Sequence, residues 1–349
     1  MINSIQRHLL PQSASVREAL ARLDKLASDA VVFLIKDRNI LVGSITDGDI
    51  RRGLINGLTL ETPLMEFVQA APKAFRRSTF NLQQMQEWRE KNFRILPVIN
   101  DENRIVDIIN FRKQRSFLPM DAVIMAGGVG SRLRPLTLDT PKPLLKVGDK
   151  PIIEHNIERL RSFGVVNLTI SIKYLGQQLI DYFGDGSDRG MNITYVTEDE
   201  PRGTIGAVSE IQEIFNPYVL VMNSDLLTTI DLEEMFSEML AKEADMTVAT
   251  VPYEVEIPYG VIETEGDLIK ALKEKPTYTY YSNAGIYIIR KEHIAKVPAT
   301  GRYSAPDLME NLYTSDHRVT HFPILGYWLD IGKHNDFEKA QRDIEHLKL

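Results

Sequence analysis

The chain has 349 residues, of which 43% are apolar and 26% charged, and it contains no cysteine. At about 150 residues per domain, this length predicts two domains. The lack of cysteine excludes disulfides, thiolate metal sites and thiol nucleophiles. Any metal would therefore have to bind oxygen or histidine nitrogen.

Charge and hydropathy exclude two further classes. The formal net charge of −7 argues against a protein that binds nucleic acid. No apolar run approaches the ~18 residues of a membrane helix, and the start of the chain lacks the long apolar segment of a signal peptide. We therefore expect a cytoplasmic protein without a membrane anchor. Residues 1–118 are mildly basic, with 18 Lys or Arg against 13 Asp or Glu, which indicates either solvated surface charge or a surface for an anionic small molecule.

The N-terminal third repeats itself. A shift of 64 residues aligns Phe33–Gly43 with Pro97–Asp107 without a gap, and each copy predicts a strand, an Asp-x-Asn turn and a second strand. A helical pattern precedes each copy, opened by Ser15 or Thr79 as a cap. Because one copy would leave a sheet face uncovered, we expect the two copies to pack as a pair.

This pair resembles tandem cystathionine-β-synthase (CBS) domains, most clearly in Gly43-Ser-Ile-Thr-Asp-Gly-Asp-Ile-Arg-Arg52. The resemblance implies that Thr46 and Asp49, at a strand-to-helix junction, hold the ribose of an adenosine nucleotide. The second copy has Asn110 and Lys113 at the matching positions, so we expect one such site per chain. The alternative is a dimerisation module in which Asp49 caps a helix.

The pattern changes after Pro119. Strand-like runs at 121–126, 167–172 and 218–222 alternate with helical runs such as 151–163, in which Ile153, Ile157 and Leu160 share one face. This alternation predicts an α/β domain over 119–349 with a mostly parallel sheet, preceded by an α+β module over 1–118. Ligands are then expected at the carboxyl ends of the strands.

A glycine-rich loop directly follows the first of these strands. Gly127, Gly128 and Gly130, followed by Ser131, allow close approach of backbone amides to a phosphate, although a plain tight turn would use the same residues. The loop is not a Walker loop, because no Gly-Lys-Ser/Thr follows. Two cations lie nearby in sequence, Arg132 and Lys142, and suit a polyphosphate.

Seven short motifs follow one another along this part of the chain: Gly127-Gly-x-Gly-x-Arg-Leu-x-Pro-Leu-Thr137, Pro141-Lys-Pro-Leu144, Tyr182-Phe-Gly-Asp-Gly186, Gly203-Thr-Ile-Gly-Ala207, Glu274-Lys-Pro276, Asn283-Ala-Gly-Ile-Tyr287 and Trp328-Leu-Asp-Ile-Gly332. In these motifs the chain from residue 120 onward resembles the sugar-1-phosphate nucleotidyltransferases, and among them the guanylyltransferases for mannose-, heptose- and glucosamine-1-phosphate. The resemblance implies a Rossmann-like fold and transfer of a nucleotidyl group from a nucleoside triphosphate to a sugar 1-phosphate, with release of pyrophosphate. The competing class is a non-catalytic sensor that uses the same pocket.

The resemblance assigns roles to the charged residues of these motifs. Asp225 and Asp330, each after an apolar run, would share one Mg²⁺, a cation that prefers oxygen ligands. Arg132 would contact the β- and γ-phosphates and Lys142 the α-phosphate. Ser224 stands where the family usually has Gly, and we expect only a slight change from it.

The sugar pocket follows from the same resemblance. Lys275 would bind the sugar phosphate, and Glu274 would accept hydrogen bonds from sugar hydroxyls. Gly260 and Asn283 would complete the pocket. Arg302 is a further candidate for a phosphate contact.

The base is expected to be read by Glu198, five positions before Gly203, where the thymidylyl and uridylyl relatives have glutamine. A carboxylate only accepts hydrogen bonds, so it pairs poorly with thymine or uracil. Guanine offers N1–H and N2–H side by side, which favours GTP. The amino group of cytosine keeps CTP as an alternative.

We also expect a homo-oligomeric assembly. The run Asn335–Leu349 predicts one capped amphipathic helix, which leaves no room for the acyltransferase domain of some relatives. The histidines have no metal-ligand spacing, so we expect each to be structural or exposed. They are His8, His155, His293, His317, His321, His334 and His346.

Overall fold

A computed structural model describes residues 5–347 and divides them into two compact units. The first unit comprises the chain up to Pro119 together with the short segments Arg161–Val165 and Ser187–Met191. The second comprises the remaining described residues, from Met120 onward. No helix in the described part of the chain is long and apolar enough to cross a membrane.

The first unit contains two copies of one arrangement. In each copy a short strand pairs in parallel with a second strand, which pairs antiparallel with a third. The second copy has no helix matching α2 among its described residues, because the chain leaves β6 in turns. The elements are β1 (Leu9–Pro11), α1 (Val16–Leu26), β2 (Val31–Lys36), β3 (Ile40–Thr46), α2 (Asp47–Ile55), β4 (Phe75–Arg76), α3 (Leu82–Glu90), β5 (Ile95–Ile99) and β6 (Ile105–Asn110).

The two copies pack against each other through a shared apolar cluster that includes Leu9 and Phe33 of the first copy and Ile95 and Ile105 of the second. Removing this surface from water stabilises the pair by about 25 cal/mol per Å². The expected packing of the two copies is therefore present within the unit.

The helix between the first and second strands has a different kind of N-terminal cap in the two copies. Ser15 caps α1 in a reciprocal capping box with Glu18, as its position predicts. The prediction that Thr79 opens the second helix is wrong. Asn81 is the N-cap, because its side chain accepts a hydrogen bond from the Gln84 amide at 2.9 Å and α3 starts only at Leu82.

The second unit is built on a seven-stranded sheet of order β11-β10-β7-β12-β17-β14-β18. Among the described strands of this sheet, only β17 runs antiparallel to its neighbours, so the predicted mostly parallel mixed sheet is confirmed. The sheet strands are β7 (Met120–Met125), β10 (Asn167–Ile172), β11 (Asn192–Thr197), β12 (Tyr218–Asn223), β14 (Met246–Glu256), β17 (Thr277–Arg290) and β18 (Val319–Pro323).

Helices and small strand pairs surround this sheet. On α4, Ile153, Ile157 and Leu160 are all buried, which confirms the predicted apolar face. The remaining elements are β8 (Lys146–Val147), β9 (Lys150–Pro151), α4 (Ile152–Ser162), α5 (Gly176–Phe183), β13 (Leu226–Thr228), α6 (Leu232–Ala241), β15 (Val261–Glu265), β16 (Leu268–Lys273), α7 (Lys291–Ile294), α8 (Ala305–Thr314), β19 (Trp328–Asp330) and α9 (His334–Asp343).

The last helix is shorter than predicted. It ends at Asp343 and is followed by a 3₁₀ turn over Ile344–His346. Ile344 and Leu347 both pack against a buried cluster around Leu133 and Ile331, and the tighter turn accompanies this packing. The last two residues of the predicted helix lie outside the described residues.

Candidate active site

A cavity of about 540 Å³ lies at the carboxyl ends of β7 and β12. The glycine-rich loop forms one wall, and all of Gly127, Gly128, Gly130, Ser131 and Arg132 line it. A ligand site at the carboxyl ends of parallel strands is the arrangement expected for an open α/β sheet. The sequence motif and the cavity therefore coincide.

Gly130 shows why this loop needs glycine. Its φ is +65°, and a Cβ atom there would lie 3.0 Å from Cγ2 of Thr137 and 3.1 Å from Cβ of Lys142. The Thr137 hydroxyl donates to the Gly130 carbonyl at 2.8 Å. The loop is thus packed closely onto the segment that carries Lys142.

The two predicted aspartates are brought together by strand pairing. β13 pairs antiparallel with β19, which places Asp330 opposite Leu226, directly after Asp225. The Ile331 amide also donates to the Asp225 carbonyl at 3.0 Å. Two residues far apart in sequence are therefore neighbours in the fold.

These carboxylates are only partly satisfied within the described chain. Lys142 forms an ion pair with Asp225, but Oδ1 of Asp225 and Oδ1 of Asp330 are buried without a hydrogen-bond partner. Burial, and then the charge of Asp225, raises the pKa of Asp330, against the opposing charges of Lys142 and Arg132. Two buried, unpartnered oxygens on aspartates whose charges interact fit a hard divalent cation such as Mg²⁺.

Arg132 lies close to Gly332, two residues after Asp330. A Cβ atom at Gly332 would lie 3.4 Å from Nη2 of Arg132, so the guanidinium rests on bare backbone two residues after Asp330. The site thus combines two carboxylates with two cations. This charge pattern suits a metal-bound polyphosphate.

Glu198 lines the same cavity and is 7% exposed. The Ser171 hydroxyl donates to Oε1, and the Arg202 amide donates to Oε2 at 3.0 Å. Each oxygen retains a further lone pair for a ligand. Gly203, with φ of +83°, is required here because a Cβ would lie 2.4 Å from the Tyr303 carbonyl oxygen.

The residues expected to hold the sugar do not line this cavity. Gly260, Glu274 and Lys275 flank the β15–β16 hairpin, where Oε2 of Glu274 lies 3.1 Å from the position of a Gly260 Cβ. The Asn283 side-chain oxygen accepts hydrogen bonds from the Gly285 amide at 2.9 Å and the Tyr287 hydroxyl at 3.0 Å. Arg302, by contrast, does line the cavity.

Lys173 is a charged lining residue that was not singled out from the sequence. Lys173 directly follows the carboxyl end of β10, so the strand-end rule could have identified it. Its ammonium donates to the Asp199 carbonyl at 2.5 Å. It adds a cation close to the glycine-rich loop.

The first unit contains a separate cavity of about 530 Å³, lined by Thr46, Lys73, Phe93, Arg94 and Arg112 among others. Thr46 lies at the predicted strand-to-helix junction and caps α2. Asp49 is not among the lining residues. Its Oδ2 accepts from the Thr46 hydroxyl at 2.6 Å, so in this structure it acts as the other half of a capping box.

At the matching position of the second copy, Lys113 is paired with a carboxylate of the first copy. Lys113 lies 3.3 Å from the Asp29 carboxylate, and Arg7 lies 2.9 Å from it. Burial raises the pKa of Asp29, but Lys113, Asn110 and Arg7 outweigh it and hold that pKa below its ordinary value. The residues at the second position therefore bind a carboxylate of the first copy.

Residues 121–346 match the family model described as nucleotidyl transferase. The chain belongs to the nucleotidyl transferase family. The match covers the second unit and its cavity, and the first 120 residues lie outside it.

Several relatives of this nucleotidyltransferase are named as sugar-1-phosphate guanylyltransferases. The chain is 31% identical over 234 residues to mannose-1-phosphate guanylyltransferase of Mycobacterium tuberculosis, which is 64% of each chain. It is 30% identical to D-glycero-alpha-D-manno-heptose 1-phosphate guanylyltransferase of Aneurinibacillus thermoaerophilus, over 65% of this chain and 99% of that protein. The mannose-1-phosphate guanyltransferase of Pichia angusta is 32% identical over 62% of each chain.

The fold has solved relatives as well. The structure of HddC from Yersinia pseudotuberculosis superposes with a TM-score of 0.51 at 27% identity, covering 64% of this chain and 99% of that chain. The α/β nucleotidyltransferase fold is therefore shared.

Proposed function

We propose that this nucleotidyltransferase transfers a nucleotidyl group from GTP to a sugar 1-phosphate, forming a nucleotide-sugar for glycan synthesis. The observation that carries the proposal is a cavity lined by a glycine-rich loop, Arg132, Lys142 and Asp225, with Asp330 on the strand paired next to Asp225 and an unpartnered buried oxygen on each aspartate. The guanylyltransferase relatives support the same reaction class.

In the proposed reaction a phosphate oxygen of the sugar 1-phosphate attacks the α-phosphorus of the nucleotide. A new P–O bond forms, the bond to the bridging α–β oxygen breaks, and that oxygen leaves with pyrophosphate. Lys142 holds the α-phosphate, and Arg132 follows the charge that develops on the leaving group. Mg²⁺, when bound by Asp225 and Asp330, supplies further neutralisation of phosphate charge.

Guanine is the base that fits Glu198. The free lone pairs of its carboxylate can accept N1–H and N2–H together, whereas thymine and uracil offer one N–H between two carbonyls. CTP, UTP and dTTP are the alternative donors. Gly260, Glu274, Lys275 and Asn283 are proposed to hold the sugar 1-phosphate.

The test is a screen for pyrophosphate release with purified protein, Mg²⁺, each of GTP, CTP, UTP and dTTP, and a panel of sugar 1-phosphates. We expect release with GTP and one or a few sugars. Nucleotide binding without turnover across the whole panel would instead favour the alternative, a non-catalytic sensor. Such a sensor has no need for the metal and leaving-group contacts of Asp225, Asp330 and Arg132.

We further infer that the first unit is a CBS pair that binds an adenosine nucleotide. Its cavity offers the Thr46 hydroxyl, the exposed ring of Phe93 and three cations, Lys73, Arg94 and Arg112. These groups suit a ribose, a base and phosphates, respectively. Because Asp29 already pairs with Lys113, one nucleotide site per chain is proposed, and a purely assembly role is the alternative.

A further inference from the structure

A second cluster of side chains that can bind a metal lies at the edge of the seven-stranded sheet opposite to the substrate cavity, where the parallel strands begin. Asp245 immediately precedes β14, His317 lies two residues before β18, and His293 lies in α7, just after β17 ends. β14 and β18 are parallel and start at this edge, and the antiparallel β17 ends there. The substrate cavity lies at the other edge, where β7 and β12 end.

We propose that Asp245, His293 and His317 form a binding site for a zinc-like divalent cation. Nε2 of His293 lies 2.9 Å from Oδ1 of Asp245, and Nδ1 of His317 lies 3.6 Å from Oδ2. One ligand atom from each of the three residues lies within 4.8 Å of the others. Zinc–ligand bonds of 2.0–2.1 Å place tetrahedral ligands roughly 3.3 Å apart, a separation that the two measured distances bracket.

Burial and access also suit such a site. The His293 side chain is 5% exposed and forms the floor, and its Nδ1 has no hydrogen-bond partner among the described residues. The polar contact described for the His293 ring is therefore the one from Nε2 to Asp245, within the cluster. Asp245 and His317 are 23% and 32% exposed, which gives an ion a route in and leaves room for water as a fourth ligand.

The ligand chemistry separates this site from the catalytic one. Two imidazoles and one carboxylate favour Zn²⁺, Co²⁺ or Ni²⁺, whereas the all-oxygen pair Asp225 and Asp330 suits Mg²⁺. The inference goes beyond the proposed function and does not depend on it. A bound ion would tie together the ends of three strands and stabilise the fold.

Two basic side chains and one backbone amide contact the cluster and compete with a cation. Nε of Arg290 lies 3.7 Å from Oδ1 of Asp245, and the Arg318 amide donates to Oδ2 at 2.9 Å. Nζ of Lys296 lies 2.7 Å from Nε2 of His317. An ammonium can only donate, so this contact keeps the His317 proton on Nδ1, facing Asp245. Metal binding at Nδ1 moves that proton to Nε2 and turns the exposed Lys296 away.

The experiment measures metal retained by the full chain. Protein stripped with a chelator is dialysed against low micromolar Zn²⁺ with excess Mg²⁺, and bound zinc is quantified by elemental analysis. We expect about one Zn²⁺ per chain, loss of it in Asp245→Asn and His317→Gln, and tighter binding in Lys296→Gln. The matched control is His346→Gln, which removes an exposed histidine outside the cluster and should retain the ion.

Thermal unfolding gives a second readout that is independent of catalysis. Zinc at a hundredfold excess over Kd should raise the Tm of the wild type by about 5–10 °C and leave His317→Gln unchanged. Because His317 is on the rim, that variant should fold even if Asp245→Asn does not, and circular dichroism checks this. Zinc uptake that is absent in the wild type, or equal in wild type and His317→Gln, overturns the proposal.

Discussion

Asp225 in the cavity and its neighbour Asp330 illustrate how a functional site is built at the scale of single residues. Asp225 and Asp330 each bury an oxygen that no described group satisfies, an arrangement that normally costs stability. The pair persists because β13 and β19 hold it in place. A cation would relieve this cost, which links metal binding to both activity and stability.

The first prediction concerns turnover. Asp225→Asn or Asp330→Asn should lower the rate of pyrophosphate release by at least ~100-fold, because a group that stabilises charge in the transition state is lost. Steady-state assays with saturating Mg²⁺ and GTP measure it. Asp24→Asn, an exposed aspartate in α1, is the control. A loss below about threefold in both cavity variants would contradict the metal assignment.

The second prediction concerns stability without metal. Because the pKa of Asp330 is raised in the folded state, its ionised form is penalised there relative to the unfolded chain. This penalty is absent below the unfolded pKa of about 4 and grows as the pH rises towards the folded value. Asp330→Asn should therefore raise Tm at pH 7 in chelator.

Thermal unfolding of wild type and variant at pH 7 and near pH 3 measures this effect. At the lower pH both states of the wild type are protonated, so the advantage of Asp330→Asn should disappear. An equal or lower Tm of the variant at pH 7 would show that the burial of Asp330 is already compensated.

The third prediction concerns the base. Glu198→Gln replaces an acceptor pair by one acceptor and one donor, so a guanine N–H would face an N–H, at a cost of about 1–3 kcal/mol for GTP. The ratio of kcat/KM for GTP to that for UTP should fall accordingly. Glu200→Gln, at an exposed neighbouring position, is the control. An unchanged ratio would indicate that the base is read elsewhere.

At the scale of secondary-structure elements, the start of α2 carries both a cap and a candidate ligand site. Oδ2 of Asp49 accepts from the Thr46 amide at 2.8 Å, and Oδ1 accepts from Arg52 at 2.5 Å. A capping contact of this kind stabilises a helix by about 1 kcal/mol. The same carboxylate can bind a ribose only if it exchanges these partners.

The fourth prediction tests that exchange. Wild-type full-length protein should bind AMP, ADP or ATP at one site per chain, and Asp49→Ala should abolish binding. Asp47→Ala, in the same first turn but exposed, should retain it. Isothermal titration calorimetry measures both, with circular dichroism to check α2. A wild type that binds no adenosine nucleotide at millimolar concentration would leave assembly, or the sensing of another ligand, as the role of the first unit.

At the scale of the whole molecule, the question is whether the two units communicate. A nucleotide bound to the first unit changes catalysis only if its affinity differs between two states of the protein, and such couplings are typically about 1–3 kcal/mol. Our fifth prediction is a change in rate or KM of about five- to one-hundred-fold with adenosine nucleotide. The assay compares wild type with Asp49→Ala, whose unregulated rate should match the wild type. Identical kinetics with and without nucleotide would contradict the coupling. The expected homo-oligomer stays a prediction.

Local patterns in the sequence identified much of this architecture. The strands β7, β10 and β12, the buried face of α4 and the Ser15 cap all follow from periodicity and capping chemistry. Helix ends were less reliable. Asn81 displaced the expected start of α3, and the packing of Ile344 accompanied the early end of α9, because several nearby residues can cap or end a helix and packing selects among them.

The glycine-rich loop and its cations were readable because these residues lie close together in the chain, and the reaction class followed from the family resemblance of motifs between Gly127 and Gly332. Other arrangements depend on strands paired across long separations. The meeting of Asp225 with Asp330 follows from the register of β13 on β19, and that of Asp245, His293 and His317 from three strand ends at one edge. No local pattern encodes such a register, since it depends on how the whole sheet buries its apolar faces.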